Sequence, residues 1–319
     1  MAGLFFLGWR LRQILLLTFG AVVFAAIIRA VARPLIKRFP RREKLAVFGA
    51  VLALLLVLGG LFWLFGHQIS AQMRDLGERL PAAVATAKEW LQQHAPGRFI
   101  LEKLSSAPEG GGMESVKQAA AITLDSLGHA LLMLVAAIYF ALTPRLYLDG
   151  AVRLFSPAQR EKVREALAAS GLSLQNWLLG QLVSMGTIGL LTMIGLAIVG
   201  CPVPVALGIL AGLLTFVPVI GFLLAFVPTV LMAFSESPQV ALAATVVFLV
   251  VQQLEEHVVL PLAQKWATSL PPALGLLALA AAGTLFGLPG LVFGCPLTVV
   301  AVCLVKKLYL ENGIEKRAG

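Results

Sequence analysis

The chain has 319 residues, of which 59% are hydrophobic and 13% are charged, and its mean hydropathy is +0.90. Soluble domains are about 45–50% apolar and 25% charged, so this composition excludes a water-soluble globule. No Lys, Arg, Asp or Glu occurs between Glu165 and Glu236, or between Lys265 and Lys306. Because about 20 apolar residues cross the hydrocarbon layer as a helix, these stretches predict several membrane spans.

The apolar runs favour helices over a β-barrel. Barrel strands of about ten residues alternate in polarity, whereas residues 51–58 are apolar throughout. The sequence therefore predicts an all-α, polytopic helical membrane protein with about seven or eight transmembrane segments. Some of these segments are expected to be discontinuous helices or hairpins, and an extracytoplasmic helical insertion is expected between them.

The net charge of +9 concentrates near the N-terminus, where nine of the 25 basic residues precede residue 45. Basic residues beside membrane spans set orientation, so the expected partner is the lipid bilayer and not nucleic acid. The three cysteines, Cys201, Cys295 and Cys303, lack the spacing of a metal site. We therefore predict neither a metal nor a cofactor.

Residues 1–66 are predicted to form N-terminal transmembrane helices around a basic cytoplasmic loop, 29–44. That loop carries seven basic residues against one acid, which marks the cytoplasmic side. The run 14–28 is interpreted as the first span, with a cleaved signal peptide as the alternative. A second span is expected from Leu45 to about Phe65, ending at Gly66 and His67.

Residues 67–126 are predicted to be extracytoplasmic. Apolar residues recur there at steps of three and four, as on one face of a helix, at Ile69, Met73, Leu76, Leu80, Val84, Ala87 and Leu91. Pro81 is expected to break or kink this helix. The helix lies either on the bilayer surface or its own bundle, or else forms a subunit contact or a gate.

The rest of the chain divides at further charged segments. Residues 127–143 form a transmembrane helix stopped by Pro144, and 144–173 form a cytoplasmic loop with a short helix capped near Ser156. Residues 174–305 form the transmembrane core, with spans near 174–199 and 239–260. Residues 306–319 form a cytoplasmic tail.

Two long apolar stretches of the core are interrupted in the middle. Residues 205–234 and 272–305 could each form a hairpin or one discontinuous helix, and the tail ends inside only if both or neither are hairpins. Broken helices in a membrane mark binding sites in many transporters. The candidate residues of a pathway are Thr215, Pro218, Gly221, Pro228, Gly287, Pro289 and Gly290.

A polar cluster lies at membrane depth, near the end of the span 239–260; its members are Gln252, Gln253, Glu255, Glu256 and His257. Helical spacing brings each Gln beside an acidic residue, while the adjacent carboxylates cannot share one face. A carboxylate at the bilayer centre costs about 2.5–3.5 kcal/mol on insertion scales, and a buried one could exchange protons near neutral pH. The cluster is therefore either a proton-coupling site on a pathway or a solvated helix end.

A weaker polar stripe comprises Asn176, Gln181, Ser184 and Thr187. It lines a cavity or forms hydrogen bonds between helices. The four histidines are scattered, and neither a Gly-rich phosphate loop nor a nucleophile elbow occurs. We therefore predict that the protein is not an enzyme and that any driving force is a gradient or an outside partner.

Six segments in this order resemble the autoinducer-2 exporter family, also described as PerM-like permeases. They are ARPLIKR at 32–38, GQL at 180–182, TFVPVIG at 215–221, QQLE at 252–255, LP at 270–271 and LFGLPG at 285–290. The chain departs from the family pattern at Thr215, Val219 and Phe222, where relatives usually carry Asn, Tyr and Pro, respectively. It also has one span, not two, before the basic loop.

The resemblance implies a multi-pass transporter of the cell inner membrane that works as an oligomer. In this family the solute is proposed to be autoinducer-2 for some members and sodium in exchange for protons for others. Our first hypothesis is a permease for a small solute or ion, passive or coupled to an ion gradient. The alternative is a non-transporting homo-oligomeric scaffold whose extracytoplasmic helices bind a partner.

Overall fold

The computed structural model describes residues 2–93, 124–217, 220–259, 261 and 272–310, and all regular structure within them is helical. Ten α-helices occur in these ranges: α1 (Ala2–Arg38), α2 (Glu43–Gln93), α3 (Leu124–Leu142), α4 (Pro144–Arg153), α5 (Arg160–Ile198), α6 (Pro204–Leu214), α7 (Ile220–Glu236), α8 (Pro238–Leu254), α9 (Pro272–Phe286) and α10 (Leu288–Val305). Segments of π-helix follow α8 at Glu255–Val259 and α10 at Lys306–Leu310.

Four helical stretches of the described residues are long and apolar enough to cross a membrane: Ile14–Arg38, Pro157–Ile198, Pro238–Val259 and Leu288–Tyr309. The pair α3 and α4, bent by 90° after Leu142, gives a fifth if it is one broken span. The predicted all-α, polytopic membrane protein is thus confirmed, with four or five spans by length and composition among these residues.

The predicted basic loop 29–44 is largely helical. Helix α1 continues through Pro34 to Arg38, and only Phe39 and a 3-10 turn at Pro40–Arg42 separate it from α2. A proline four residues from a helix end removes one backbone hydrogen bond without ending the helix. The loop prediction was wrong in length because Pro40, and not Pro34, ends the regular hydrogen bonding.

Helix α2 does not end at Gly66 and His67, and it continues through Pro81 to Gln93. A helical glycine costs only about 1 kcal/mol, and packing of the amphipathic part offsets this. Leu76 and Ala83 are buried in the same cluster as residues of α6 and α7. This part of the segment therefore packs on the protein's own helices, while the prediction of a subunit contact or a gate stays open; residues 94–123, including the predicted flexible break at 107–112, lie outside the described residues.

Helix α5 joins two segments that the sequence treats separately. It begins at Arg160, directly after the 3-10 turn Pro157–Gln159, and continues to Ile198. Ser156 occupies the predicted position before the start of this turn, with Pro157 following it, but its side chain makes no capping hydrogen bond. The end of the helix agrees with the predicted turn after residue 199, where Gly200 has a positive φ of 74°.

Both interrupted stretches fold as pairs of packed helices. Ala211 of α6 shares an apolar cluster with Ala225 of α7 near the turn, and Leu207 and Met232 share another farther away, as in an antiparallel hairpin. In the second pair, Gly283 of α9 faces Leu291 of α10 and Gly294 faces Leu279. The open choice between hairpins and discontinuous helices is thus resolved in favour of hairpins.

The helices group into two compact units. The first comprises Met1–Gly59, Gly128–Val183 and Pro261–Gly319; the second comprises Gly60–Leu127 and Ser184–Leu260. The first unit has a buried cluster built on α1, α2 and α3 that includes Ala21, Val47 and Ala137. In the second, buried residues of α2, α5, α6, α7 and α8 form one core.

Candidate functional site

The candidate site of the second unit is the pair Ser184 and Glu255. Ser184 lies on α5 with 3% of its surface exposed, and its hydroxyl donates a hydrogen bond of 3.1 Å to Oε1 of Glu255. Glu255 is half-buried and is the first residue of the π-helical segment. Such π-helical turns occur frequently at functional sites because they leave the regular hydrogen-bond ladder. A carboxylate is thereby held against a buried hydroxyl inside a candidate span.

The rest of the predicted polar cluster points elsewhere. Glu256 is exposed and accepts a bond of 3.4 Å from Nε2 of Gln252. The His257 ring is exposed, with Nδ1 3.0 Å from the carbonyl oxygen of Gln253. Adjacent helical positions differ by about 100° in direction, so Glu255 turns inward while Glu256 turns outward. Sequence spacing therefore predicts the cluster as a group, whereas the structure shows that Glu255 is half-buried and Glu256 is exposed.

The first predicted break lies in the turn of the hairpin α6–α7. Thr215 is half-buried and donates 2.7 Å to the carbonyl oxygen of Ala211. At Gly221, a Cβ would collide with the carbonyl oxygen of Leu214, so only glycine permits this close approach. Pro228 lies inside α7 without ending it, and Pro218 lies outside the described residues. Among the described residues, the interruption between α6 and α7 comprises residues 215–217.

The second predicted break is narrower than residues 287–290. Gly287 alone separates α9 from α10, with φ 67° and ψ −144°, a conformation open essentially to glycine. Pro289 lies in the first turn of α10, where a missing N–H is tolerated. Gly290 is buried, and its Cβ would meet the carbonyl oxygen of Ala282. Each residue therefore has a structural reason to be present.

The predicted polar stripe does not act as one group. Asn176 belongs to the first unit and accepts a bond of 3.1 Å from Nη1 of Arg33 on α1. Gln181 is half-buried and also belongs to the first unit. Ser184 belongs to the second unit, where it binds Glu255. The hydrogen-bonding interpretation applies to Asn176, since its partner is on another helix.

Sequence reasoning missed two polar side chains that join elements. Arg29 lies in the apolar run of α1, where it donates 2.9 Å to the Ala141 carbonyl oxygen and 2.7 Å to Oε1 of Glu43. An arginine inside an apolar run was the available signal. Gln72 accepts bonds of 3.0 and 3.1 Å from the backbone amides of Val205 and Ala206. No sequence pattern near Gln72 indicates this contact, because Gln72 is more than 130 positions away from Val205 and Ala206.

Metal and thiol chemistry find no support in the described part of the chain. No group of three or more His, Cys, Asp or Glu side chains there is placed to hold a metal ion. In the turn after α5, burial and then the charge of Glu236 raise the pKa of the Cys201 thiol to about 12. That thiol stays protonated, so it is a poor nucleophile and a poor metal ligand.

The helices define the protein as a multi-pass α-helical membrane protein. Over residues 1–309 the sequence matches the family described as AI-2E family transporter. The chain therefore belongs to the AI-2E transporter family, as its six motifs indicated, and the coarse activity is that of a membrane permease.

Three relatives carry the name putative transport protein. MT0215 of Mycobacterium tuberculosis (strain CDC 1551 / Oshkosh) is 27% identical over 75% of this chain and 68% of its own length. YueF of Bacillus subtilis (strain 168) is 32% identical over 41% of the chain and 35% of its own length. YrrI of the same strain is 28% identical over 40% and 36%. The chain aligns with about a third of each Bacillus protein.

Proposed function

We propose that this permease moves a small solute or ion across the plasma membrane, and that Glu255 couples the movement to an ion gradient. The observation that carries the proposal is the hydrogen bond of 3.1 Å from buried Ser184 to half-buried Glu255. An intramembrane carboxylate is expensive, so it is expected where it binds protons or ions. Sodium exchange for protons, as the resemblance implies for some relatives, is one form of this coupling.

The short hairpin α6–α7 supports a pathway in the same unit. Helix α6 has 11 residues, which extend about 16 Å against a hydrocarbon layer of about 30 Å. A helix of this length does not cross the layer, so the non-helical residues 215–217 are expected to lie at membrane depth. Irregular backbone there is tolerated only where protein or a water-filled cavity surrounds it. Thr215 and Gly221 are therefore proposed to border the route.

The scaffold alternative draws less support. It assigns partner binding to the extracytoplasmic region 67–125, in which Leu76 and Ala83 are buried against this chain's own helices and residues 94–123 lie outside the described part of the chain. A homo-oligomer remains part of the proposal on the strength of the family resemblance.

The proposal is tested with purified protein in vesicles that contain a pH-sensitive dye, after a pulse of external sodium. The variants are Glu255→Gln and, as the matched control, Glu256→Gln, which changes the exposed neighbour. We expect the sodium-driven pH signal to fall to the level of empty vesicles in the first variant and to persist in the second. Equal signals from both variants would remove the coupling role of Glu255.

A further inference from the structure

The hydroxyl of Thr192 differs from the other helical hydroxyls of this structure. Six of them donate to the carbonyl oxygen four residues earlier: Thr18, Thr86, Ser170, Thr229, Thr245 and Thr298. Thr192 is 0% exposed, yet its Oγ1 has no hydrogen-bond partner among the described residues. A buried hydroxyl without a partner is unfavourable and calls for an explanation.

The position of Thr192 on α5 follows from two contacts of that helix. The side toward α8 is marked by Ser184, bonded to Glu255, and by Gly195, which faces Val247. The side toward α6 is marked by Gly189, which faces Gly208 and Gly212.

At about 100° per residue, Thr192 lies about 80° around the helix from Ser184, between these two sides, and about 12 Å along the axis. Helix α7 packs against both α6 and α8, so the hydroxyl belongs to the interior of the second unit.

The polar groups described above in the second unit favour water and cations over anions. They are the hydroxyls of Ser184 and Thr192 and the carboxylate of Glu255, and all of them present oxygen atoms. Oxygen donors suit protons and hard cations. A separation of about 12 Å is too long for one ion to bind both hydroxyls, so a link between them requires several waters in a row.

We propose that Thr192 binds a water molecule on a cation route that continues along α5 from the Ser184–Glu255 pair. This inference rests on the proposed coupling role of Glu255 and adds to it a second polar position. The alternative is a hydroxyl that is simply enclosed by apolar neighbours. The two differ in what the hydroxyl contributes to transport and in whether water reaches it.

The flux experiment compares Thr192→Val, Thr192→Ser and the control Thr229→Val in the sodium-pulsed vesicles. Thr229 is also 0% exposed, but its hydroxyl is bonded to Ala225 within its own helix. We expect Thr192→Val to slow the pH signal about tenfold at an unchanged melting temperature, while Thr192→Ser and Thr229→Val stay near the unaltered rate. Unaltered flux in a folded Thr192→Val protein would overturn the proposal.

A second measurement does not depend on flux. X-ray radiolysis produces hydroxyl radicals from bound water, and mass spectrometry reports oxidation of each thiol separately. We expect Thr192→Cys to be oxidised faster than Thr229→Cys in the full chain; equal or slower oxidation would contradict a water at Thr192. If the unaltered protein shows no sodium-driven signal, the proposed function fails while this result still decides the water site.

Discussion

Single hydrogen bonds decide what the polar residues of this protein can do. Glu255 and Glu256 are neighbours in sequence, but one binds a buried hydroxyl and the other a glutamine on the surface. The hydroxyl of Ser184 holds the Glu255 carboxylate in one position, so its removal should impair transport without unfolding the protein.

We expect Ser184→Ala to slow sodium-driven proton flux about tenfold or more, because a hydrogen bond to a charged group contributes about 1.5–3 kcal/mol. Ser70→Ala is the control, since Ser70 is exposed and bonds only within its own helix turn, to the His67 carbonyl oxygen. Vesicle flux gives the comparison. A Ser184→Ala protein as fast as the control would show that the hydroxyl does not position the carboxylate.

Glycines bring α5 and α6 together. A Cβ on Gly212 would lie 2.7 Å from the Met185 carbonyl oxygen and 3.0 Å from the Cα of Gly189. Both neighbours are backbone atoms, so they cannot move aside. Small residues four apart, here Gly208 and Gly212, are the usual means of close helix contact in membranes.

We therefore expect Gly212→Val to lower the free energy of unfolding, measured by SDS titration in mixed micelles, by about 1–3 kcal/mol. In the control Gly186→Ala, the added Cβ meets nothing within 4 Å. That variant should be equally stable or more stable by up to about 1 kcal/mol, from helix propensity alone. A Gly212→Val protein as stable as the control would mean that the helices can separate at no cost.

The N-terminus of α6 depends on another element. Val203 has a left-handed backbone with φ 49°, and its side chain does not cap the helix. Gln72 of α2 instead accepts from the first amides, those of Val205 and Ala206. Helix starts need such acceptors because their amides have no partner inside the helix.

We expect Gln72→Leu to lower the free energy of unfolding by about 1–3 kcal/mol, since two buried amides lose their acceptor. Gln72→Glu keeps a side-chain oxygen and adds a negative charge, which is favourable at a helix start, so it should retain most of the stability. SDS titration of both variants is the measurement. Equal stability of all three proteins would contradict a capping role.

Elements that depend on the residues within them could be predicted from the sequence, whereas elements stabilised by contacts with distant residues could not. Gly287 and the turn after residue 199 were predicted because glycine and proline act on their own backbone. The continuity of α2 through Gly66 and of α5 through residue 173 was not, because packing with distant residues stabilises these helices. In the same way, spacing predicted the contact of Gln252 with Glu256, four residues on, whereas Ser184 and Glu255 are 71 positions apart.

The length of α2 sets a requirement for the whole molecule. Its 51 residues extend about 76 Å, more than twice the hydrocarbon thickness of about 30 Å. We propose that its first part, residues 45–65, forms the second span that the sequence predicts. The basic residues at its start favour the cytoplasm for that end, and we propose the extracytoplasmic side for residues from 67 onward, as the sequence predicts.

We expect an impermeant maleimide to label Glu89→Cys on intact cells and to leave Arg41→Cys unlabelled until the membrane is opened. Both positions are exposed in the structure. The native cysteines, Cys201, Cys295 and Cys303, are buried and should contribute little background. Labelling of Arg41→Cys on intact cells would reverse the proposed orientation.

We propose that transport depends on the carboxylate of Glu255, which contacts buried Ser184. The exposed carboxylate of Glu256 cannot replace it. The most direct measurement is the sodium-driven pH change in vesicles for Glu255→Gln and Glu256→Gln at matched protein density. The account predicts a signal lost in the first and kept in the second. A signal kept in both, or lost in both from folded protein, would contradict it.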